Sequence, residues 1–126
     1  MKVSVIVPSF NSKKYLRQCI DSIMRQTIDE MEIICVDAGS SDGTIEILNE
    51  YADKNENFRI IHSDRRSMGF QYNLGLRVST GEYIGFVETD DFVEDDMYKC
   101  LYETGKKYDI DMVRADWYAF QNDKNS

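Results

Sequence analysis

Short apolar runs that each stop at a cluster of polar turn residues constrain this chain more than any other feature. Val3-Ser4-Val5-Ile6-Val7 ends at Pro8-Ser9-Phe10-Asn11, and Glu32-Ile33-Ile34-Cys35-Val36 ends at Asp37-Ala38-Gly39-Ser40-Ser41-Asp42. Tyr83-Ile84-Gly85-Phe86-Val87 ends at Glu88-Thr89-Asp90-Asp91. Runs of this length and β-branched content read as buried strands. The first is expected to stop at Pro8, after which Ser9 to Ser12 supplies turn and helix-capping residues.

Between the strands the period becomes helical. From Lys13 to Gln26, Leu16, Cys19, Ile20, Ile23 and Met24 share one face, while Lys13, Lys14, Arg17, Asp21 and Arg25 face outward. A second helix is predicted from Gly43 to about Lys54, packed through Ile45, Leu48 and Tyr51. Phe58 to His62 reads as a third strand, Ser63 to Ser67 as a charged loop, Phe70 to Val78 as a helix ending at Thr80-Gly81, and Glu82 to Val87 as a fourth strand. Glu94 to Lys107 reads as a further helix, Met112 to Tyr118 as a fifth strand, and the chain from Gln121 as a polar tail. Repeated strand-helix units imply parallel pairing, so the expected fold is α/β: a three-layer, Rossmann-like sandwich with a mostly parallel central sheet. One domain over residues 1–120 with a tail at 121–126 accounts for the chain.

Composition removes several classes of function. Fifteen basic and 23 acidic residues give a net charge of −8, which repels nucleic acid and anionic lipid. Cys19, Cys35 and Cys100 are too few and too far apart for a metal or redox pair, and read as buried thiols. His62 is the only histidine, so neither zinc chemistry nor a serine or cysteine triad has its parts. No stretch has the apolar length of a bilayer span or signal peptide, which places the expected location in the cytoplasm, at the inner membrane face for a longer parent enzyme.

The acidic run carries the most chemistry. Three carboxylates in Glu88-Thr89-Asp90-Asp91 follow directly on a buried strand, at the end of the sheet where α/β folds bind ligands. Carboxylate oxygens are hard donors suited to Mg²⁺ or Mn²⁺, which in turn carry nucleotide phosphates. The polar turns after the first two strands have a plainer account as caps and tight turns. An exposed capping loop is the corresponding plain account of the acidic run. Glu94, Asp95 and Asp96 read as the negative first turn of the following helix. Arg65 and Arg66 are the local basic pair able to face an anion.

Val3 to Asn11, Gln26-Thr27, Val36 to Thr44 and Thr80 to Asp91 together resemble the amino-terminal half of a GT-A fold, family 2 glycosyltransferase, an inverting enzyme that uses nucleotide-activated sugars. The resemblance covers nearly the whole chain. It implies a nucleotide-sugar site around Pro8, Ser9, Asn11, Asp37, Ala38, Ser40, Arg66, Gly69, Asn73, Glu88, Thr89 and Asp90, with Asp37 in the turn that contacts base and ribose. Glu88-Thr89-Asp90 matches the family's Asp-x-Asp motif, and Asp90 with Asp91 would hold the Mn²⁺ or Mg²⁺ that bridges the phosphates. The implied donor is a nucleotide-diphosphate sugar, UDP favoured, and the implied acceptor a saccharide or lipid-linked hydroxyl.

Three positions depart from the family pattern. Ala38 stands where many relatives carry a second aspartate that contacts the base, Glu88 replaces the first aspartate of the metal motif, and Gln71-Tyr72-Asn73 replaces the frequent Ala-Arg-Asn. Retention of Asp37, Asp42, Asp90 and Asp91 favours a subgroup over a decayed copy. The family's general base is a carboxylate of the acceptor-binding half, beyond the metal motif, so residues 1–126 alone are expected not to catalyse transfer. Apolar surface at Met112 to Phe120 is an expected seat of self-association into a homo-oligomer.

Three rival readings have discriminating features. A nucleotidyltransferase needs a glycine-rich, basic loop where Pro8-Ser9-Phe10-Asn11 stands. A phosphoacceptor domain needs acids where Ser9 and Ser63 stand. A nucleotide-sugar-binding or scaffolding module that has lost transfer would account for Ala38, Glu88, Tyr72 and the missing base.

Overall fold

The computed structural model describes residues 1–27 and 29–89. The helix expected at Glu94 to Lys107, the strand expected at Met112 to Tyr118, the apolar stretch at Met112 to Phe120, the tail and Cys100 all lie outside the described residues, as do Asp90 and Asp91.

Strands and helices alternate strictly: β1 (Val3–Ser9), α1 (Lys13–Met24), β2 (Met31–Asp37), α2 (Thr44–Lys54), β3 (Phe58–His62), α3 (Met68–Val78) and β4 (Tyr83–Phe86). All pairings are parallel, in the order β3-β2-β1-β4. The β3-to-β4 crossover therefore returns past β2 and β1, reversing the direction of strand addition. That reversal makes the carboxyl ends of β1 and β4 a topological switch point, where ligands of open α/β sheets bind.

Alternation of side chains along each strand splits the core in two. Val3, Val5, Val7, Met31, Ile33 and Cys35 join Leu16, Cys19, Ile20 and Ile23 of α1 and Ile47 and Leu48 of α2 on one face. Ile6, Ile34 and Val36 face the other side, against Tyr72, Leu74 and Val78 of α3 with Ile61 and Ile84 of the neighbouring strands. The result is the expected three-layer α/β sandwich. Burying one such Ile or Val fully is worth about 1.5–3 kcal/mol, so the two clusters bind the described helices to the sheet.

β1 does not stop at Pro8 but runs through it, with Pro8 opposite Val36 and Ser9 opposite Asp37. Val87 N–H donates to the Ile6 carbonyl at 3.1 Å, so the even positions of β1 face β4. Pro8 comes after the last β4 pair, Ile6 with Phe86, and its missing N–H costs no ladder bond.

The amino-terminal edge of the sheet is held by a buried carboxylate. Glu32, 5% exposed, accepts on Oε2 from Ser4 Oγ at 2.5 Å, Thr80 N at 2.7 Å and Thr80 Oγ1 at 2.9 Å, while Arg59 stands 3.8 Å from Oε1. Burial pushes its pKa up, but the hydrogen bonds from Ser4 and Thr80 and the Arg59 charge outweigh burial and leave it lowered. Gly81 donates its N–H to Ser4 Oγ at 2.7 Å, and a Cβ there would lie 2.4 Å from the Ser4 nitrogen. Only glycine lets the turn before β4 approach β1 this closely.

Candidate functional site

The opposite edge gathers the turns after β1, β2 and β4. Asp37, the last residue of β2, is fully buried. Its Oδ1 accepts from Ser9 Oγ at 2.7 Å and Ser40 Oγ at 2.6 Å, and its Oδ2 from Gly39 N at 3.0 Å and Ser40 N at 2.9 Å. A carboxylate offers about four lone-pair sites, and all are taken within the protein. Asp37 thus fixes the 38–41 turn to the end of β1, and the surfaces left for a ligand are those of the turn itself.

The turns also bind each other. Asn11, in the left-handed region at φ 46°, accepts on Oδ1 from Ser41 N at 2.8 Å, while its own N–H donates to Ser40 Oγ at 2.8 Å. Asp42 takes Lys13 N at 3.2 Å on Oδ2, and Thr44 N at 3.0 Å with Thr44 Oγ1 at 2.6 Å on Oδ1. One carboxylate therefore serves the amino termini of both α1 and α2, where negative charge meets the positive helix ends. The Thr44 hydroxyl, with the Lys13 and Thr44 amides, holds the Asp42 carboxyl below its usual range. Ser12 makes no side-chain cap for α1; its hydroxyl exchanges 3.2 Å bonds with the Phe10 backbone, and its N–H donates to Thr44 Oγ1 at 2.8 Å.

Two bonds tie the exit of β4 to this cluster. Thr89 Oγ1 donates to Ser12 Oγ at 3.0 Å, and the Cys19 thiol donates to the Glu88 carbonyl at 3.5 Å. Cys35 lies in the same core as Cys19, and burial, with Cys19 and Asp37 nearby, pushes its thiol pKa well up, so it is inert as a nucleophile.

From the other side comes the loop between β3 and α3. The Arg66 guanidinium lies 4.1 Å from the Phe10 ring centroid and that of Arg65 5.0 Å from Phe70, both side chains exposed. Arg66 thereby meets the β1 turn. Gly69 and Asn73, four residues apart on α3, are exposed, and open space surrounds Gly69 where a side chain would begin.

The structure thus brings Pro8, Ser9, Asn11, Asp37, Ala38, Ser40, Glu88 and Thr89 to one edge of the sheet and lays Arg66 over Phe10 beside them. Gly69 and Asn73 sit on α3, whose Gln71 touches the Ser9 and Val36 carbonyls. The second metal-motif position and its neighbour, Asp90 and Asp91, fall outside the described residues. Among the described residues no group of three His, Cys, Asp or Glu side chains could hold a metal ion, and no helix is long and apolar enough to cross a membrane. The exposed Arg66 guanidinium beside these turns suits a ligand carrying anionic groups. Sequence reasoning missed the double role of Asp42, the Glu32 clasp and the buried amide of Gln71. A Ser/Asp-rich turn signalled the first only as a generic cap, and no local pattern signalled the others.

Known proteins share this fold. A family model described as glycosyl transferase family 2 matches residues 4–126. The uncharacterized glycosyltransferase EpsJ of Bacillus subtilis (strain 168) is 36% identical over 124 residues, 98% of this chain and 36% of that protein. Residues 1–349 of S. aureus TarS superpose with TM-score 0.80 at 30% identity, over 86% of this chain and 33% of that one, and have been solved alone, with UDP and with UDP-GlcNAc. The mannosyltransferase PcManGT from Pyrobaculum calidifontis, solved with GDP-Man and Mn²⁺, superposes with TM-score 0.67 at 27% identity, over 72% of this chain and 28% of that one. The chain spans well under two thirds of the length of each.

Proposed function

The chain belongs to glycosyl transferase family 2, and from that premise we propose that it is the donor-binding part of an inverting, metal-assisted enzyme that moves a sugar from a nucleotide diphosphate to a saccharide or lipid-linked hydroxyl. The observation that carries the proposal is the hydrogen-bonded union of the turns after β1, β2 and β4 at the switch point. UDP is the favoured nucleotide, supported by the UDP and UDP-GlcNAc complexes of the TarS neighbour. The cytoplasm is the proposed location.

In the proposed reaction an acceptor hydroxyl gives its proton to a general base and its oxygen attacks the anomeric carbon. The bond from that carbon to the diphosphate oxygen breaks, and its electron pair leaves with the nucleoside diphosphate. The Ser9–Asp37–Ser40 and Asn11–Ser41 bonds keep the nucleotide-facing turns rigid before the donor arrives, which lowers the ordering cost of binding. Arg66, exposed over Phe10 beside the β1 turn, is the proposed cation for the diphosphate. Mn²⁺ or Mg²⁺, held by Asp90 and Asp91, would offset charge on the departing diphosphate. Their carboxylates are the hard donors these ions take, and the Mn²⁺ in the PcManGT complex supports a divalent ion for the reaction. The general base belongs to the acceptor-binding half, so this stretch is proposed to bind donor without transferring it.

Thermal unfolding with UDP, GDP and dTDP, with and without Mn²⁺, tests the proposal. Ligand at about a hundredfold over its dissociation constant adds roughly 2.7 kcal/mol of stability, a shift of several degrees for a domain of this size. The expected result is a Mn²⁺-dependent shift with UDP that Asp90→Asn and Asp91→Asn abolish. Absence of a shift with every nucleotide would reject the donor site.

A further inference from the structure

Gln71 is polar, 4% exposed, and lies in the first half of α3 with its side chain against the strand ends. Its Nε2 donates to the carbonyls of Val36 at 2.8 Å and Ser9 at 3.1 Å. Both partners can only accept, so the amide has one possible orientation, nitrogen toward the sheet. The Ser9 carbonyl also takes the Ala38 N–H at 3.0 Å, and the Ser9 hydroxyl holds Asp37. Gln71 therefore bonds α3 to the β1 and β2 ends that carry the nucleotide-facing turns. On the same helix Gly69 and Asn73 are exposed, while the Tyr72 ring packs edge-on to Phe86 at 4.6 Å.

We infer that Gln71 is a positioning residue of the donor pocket, setting where the Gly69 and Asn73 surface of α3 stands relative to the Ser9–Asp37 floor through its two hydrogen bonds to the strand ends. The inference rests on the donor-pocket reading above and deepens it. The departure from Ala-Arg-Asn at positions 71–73 is on this account a substitution of means. A buried tether fixes the helix, and Tyr72 spends its ring on β4 instead of reaching for the nucleotide.

Gln71→Glu tests this in the whole chain. The side chain keeps its length, but an ionised carboxylate has no proton to give two carbonyls; burial raises its pKa, so mild acid restores one donor. The UDP dissociation constant of the folded variant, measured well below its unfolding temperature, should be about tenfold weaker than wild type in mildly alkaline buffer. It should recover in mildly acidic buffer, whereas wild type shows no such recovery. In the ligand-free variant, the amide NMR shifts of Gly69, Asn73 and Ala38 should follow the same titration. Wild-type UDP affinity at both pH values would overturn the inference, as would shifts at those three amides that ignore the titration. If wild type bound no nucleotide while the shifts titrated, the donor-pocket reading would fall and the tether would stand. Gln71→Leu, which keeps the bulk and removes both bonds, serves if the Glu variant does not fold; it should be about tenfold weaker at every pH, and wild-type affinity would overturn the inference.

Discussion

Asp37 separates two roles that a ligand-binding turn can assign to an acid. If it organises the turn, Asp37→Ala strands the buried Ser9 hydroxyl and the half-buried Ser40 hydroxyl, while the Gly39 and Ser40 amides reach water. Counting only the two hydroxyl bonds, at about 1.5–3 kcal/mol for a bond to a charged group, the loss is roughly 3–6 kcal/mol. That is a large part of the about 5–15 kcal/mol that holds a domain of this kind folded. Asp37→Asn should be milder. With its carbonyl toward the two amides and its NH₂ toward the two hydroxyl oxygens, asparagine keeps four contacts but reverses two of them, and the loss of the ionic part and of an acceptor for the Ser9 and Ser40 protons costs about 1–3 kcal/mol. Urea unfolding followed by circular dichroism reads both values, with UDP binding measured on the folded variants. If both substitutions cost less than about 1 kcal/mol while both weaken UDP more than tenfold, Asp37 is a ligand contact and not the keystone of the turn.

Gly81→Ala forces a Cβ to within 2.4 Å of the Ser4 nitrogen and should cost at least about 2 kcal/mol in the same unfolding assay; a neutral result would mean that β1 and the turn before β4 separate freely. Glu32 has a lowered pKa in the folded chain, so its ionised form stabilises at neutral pH. That contribution is lost as pH falls through the ordinary carboxylate range to the lowered value. Glu32→Gln should therefore flatten the acid limb of the stability curve, and an unchanged limb would remove Glu32 from the acid response. Arg66→Ala should weaken UDP a few-fold, about 0.5–1 kcal/mol for an exposed cation, and leave uridine unchanged in calorimetric titrations; equal effects on both would assign Arg66 to the base side.

The layers were legible because hydrophobic period reports burial directly. β3 runs Phe58–His62 as the apolar run indicated, and the stripe from Leu16 to Ile23 packs as read. Boundaries moved where partners distant in sequence decide them. β1 continued through Pro8 because β4 has already ended there, and β2 reached Asp37 because β1 and β3 both pair with it. α1 ends at Met24, before the expected Gln26, with the Arg25 and Gln26 amides closing on Asp21 and Ile23. α3 begins two residues early because the Ser67 hydroxyl accepts from Phe70 N–H. At the site, the turns could be named from composition, but the internal use of Asp37 could not. Its four donors come from Ser9 and from its own turn, and nothing local says whether a carboxylate faces a ligand or its own backbone.

The position of β1 at the centre of the sheet also sets an order of events at the ribosome. Val3 pairs with Met31 on one side and with Tyr83 on the other, 28 and 80 residues later. At roughly 5–20 residues per second, those 80 residues take about 4–16 s to make. For all of that interval β1 keeps one edge of backbone N–H and C=O groups without its β4 partner, and such distant parallel pairing is slow to form even afterwards. Nascent-chain hazard is thus concentrated at β1, and substitutions that slow the arrival of β4 should first appear as lost yield and only later as lost affinity.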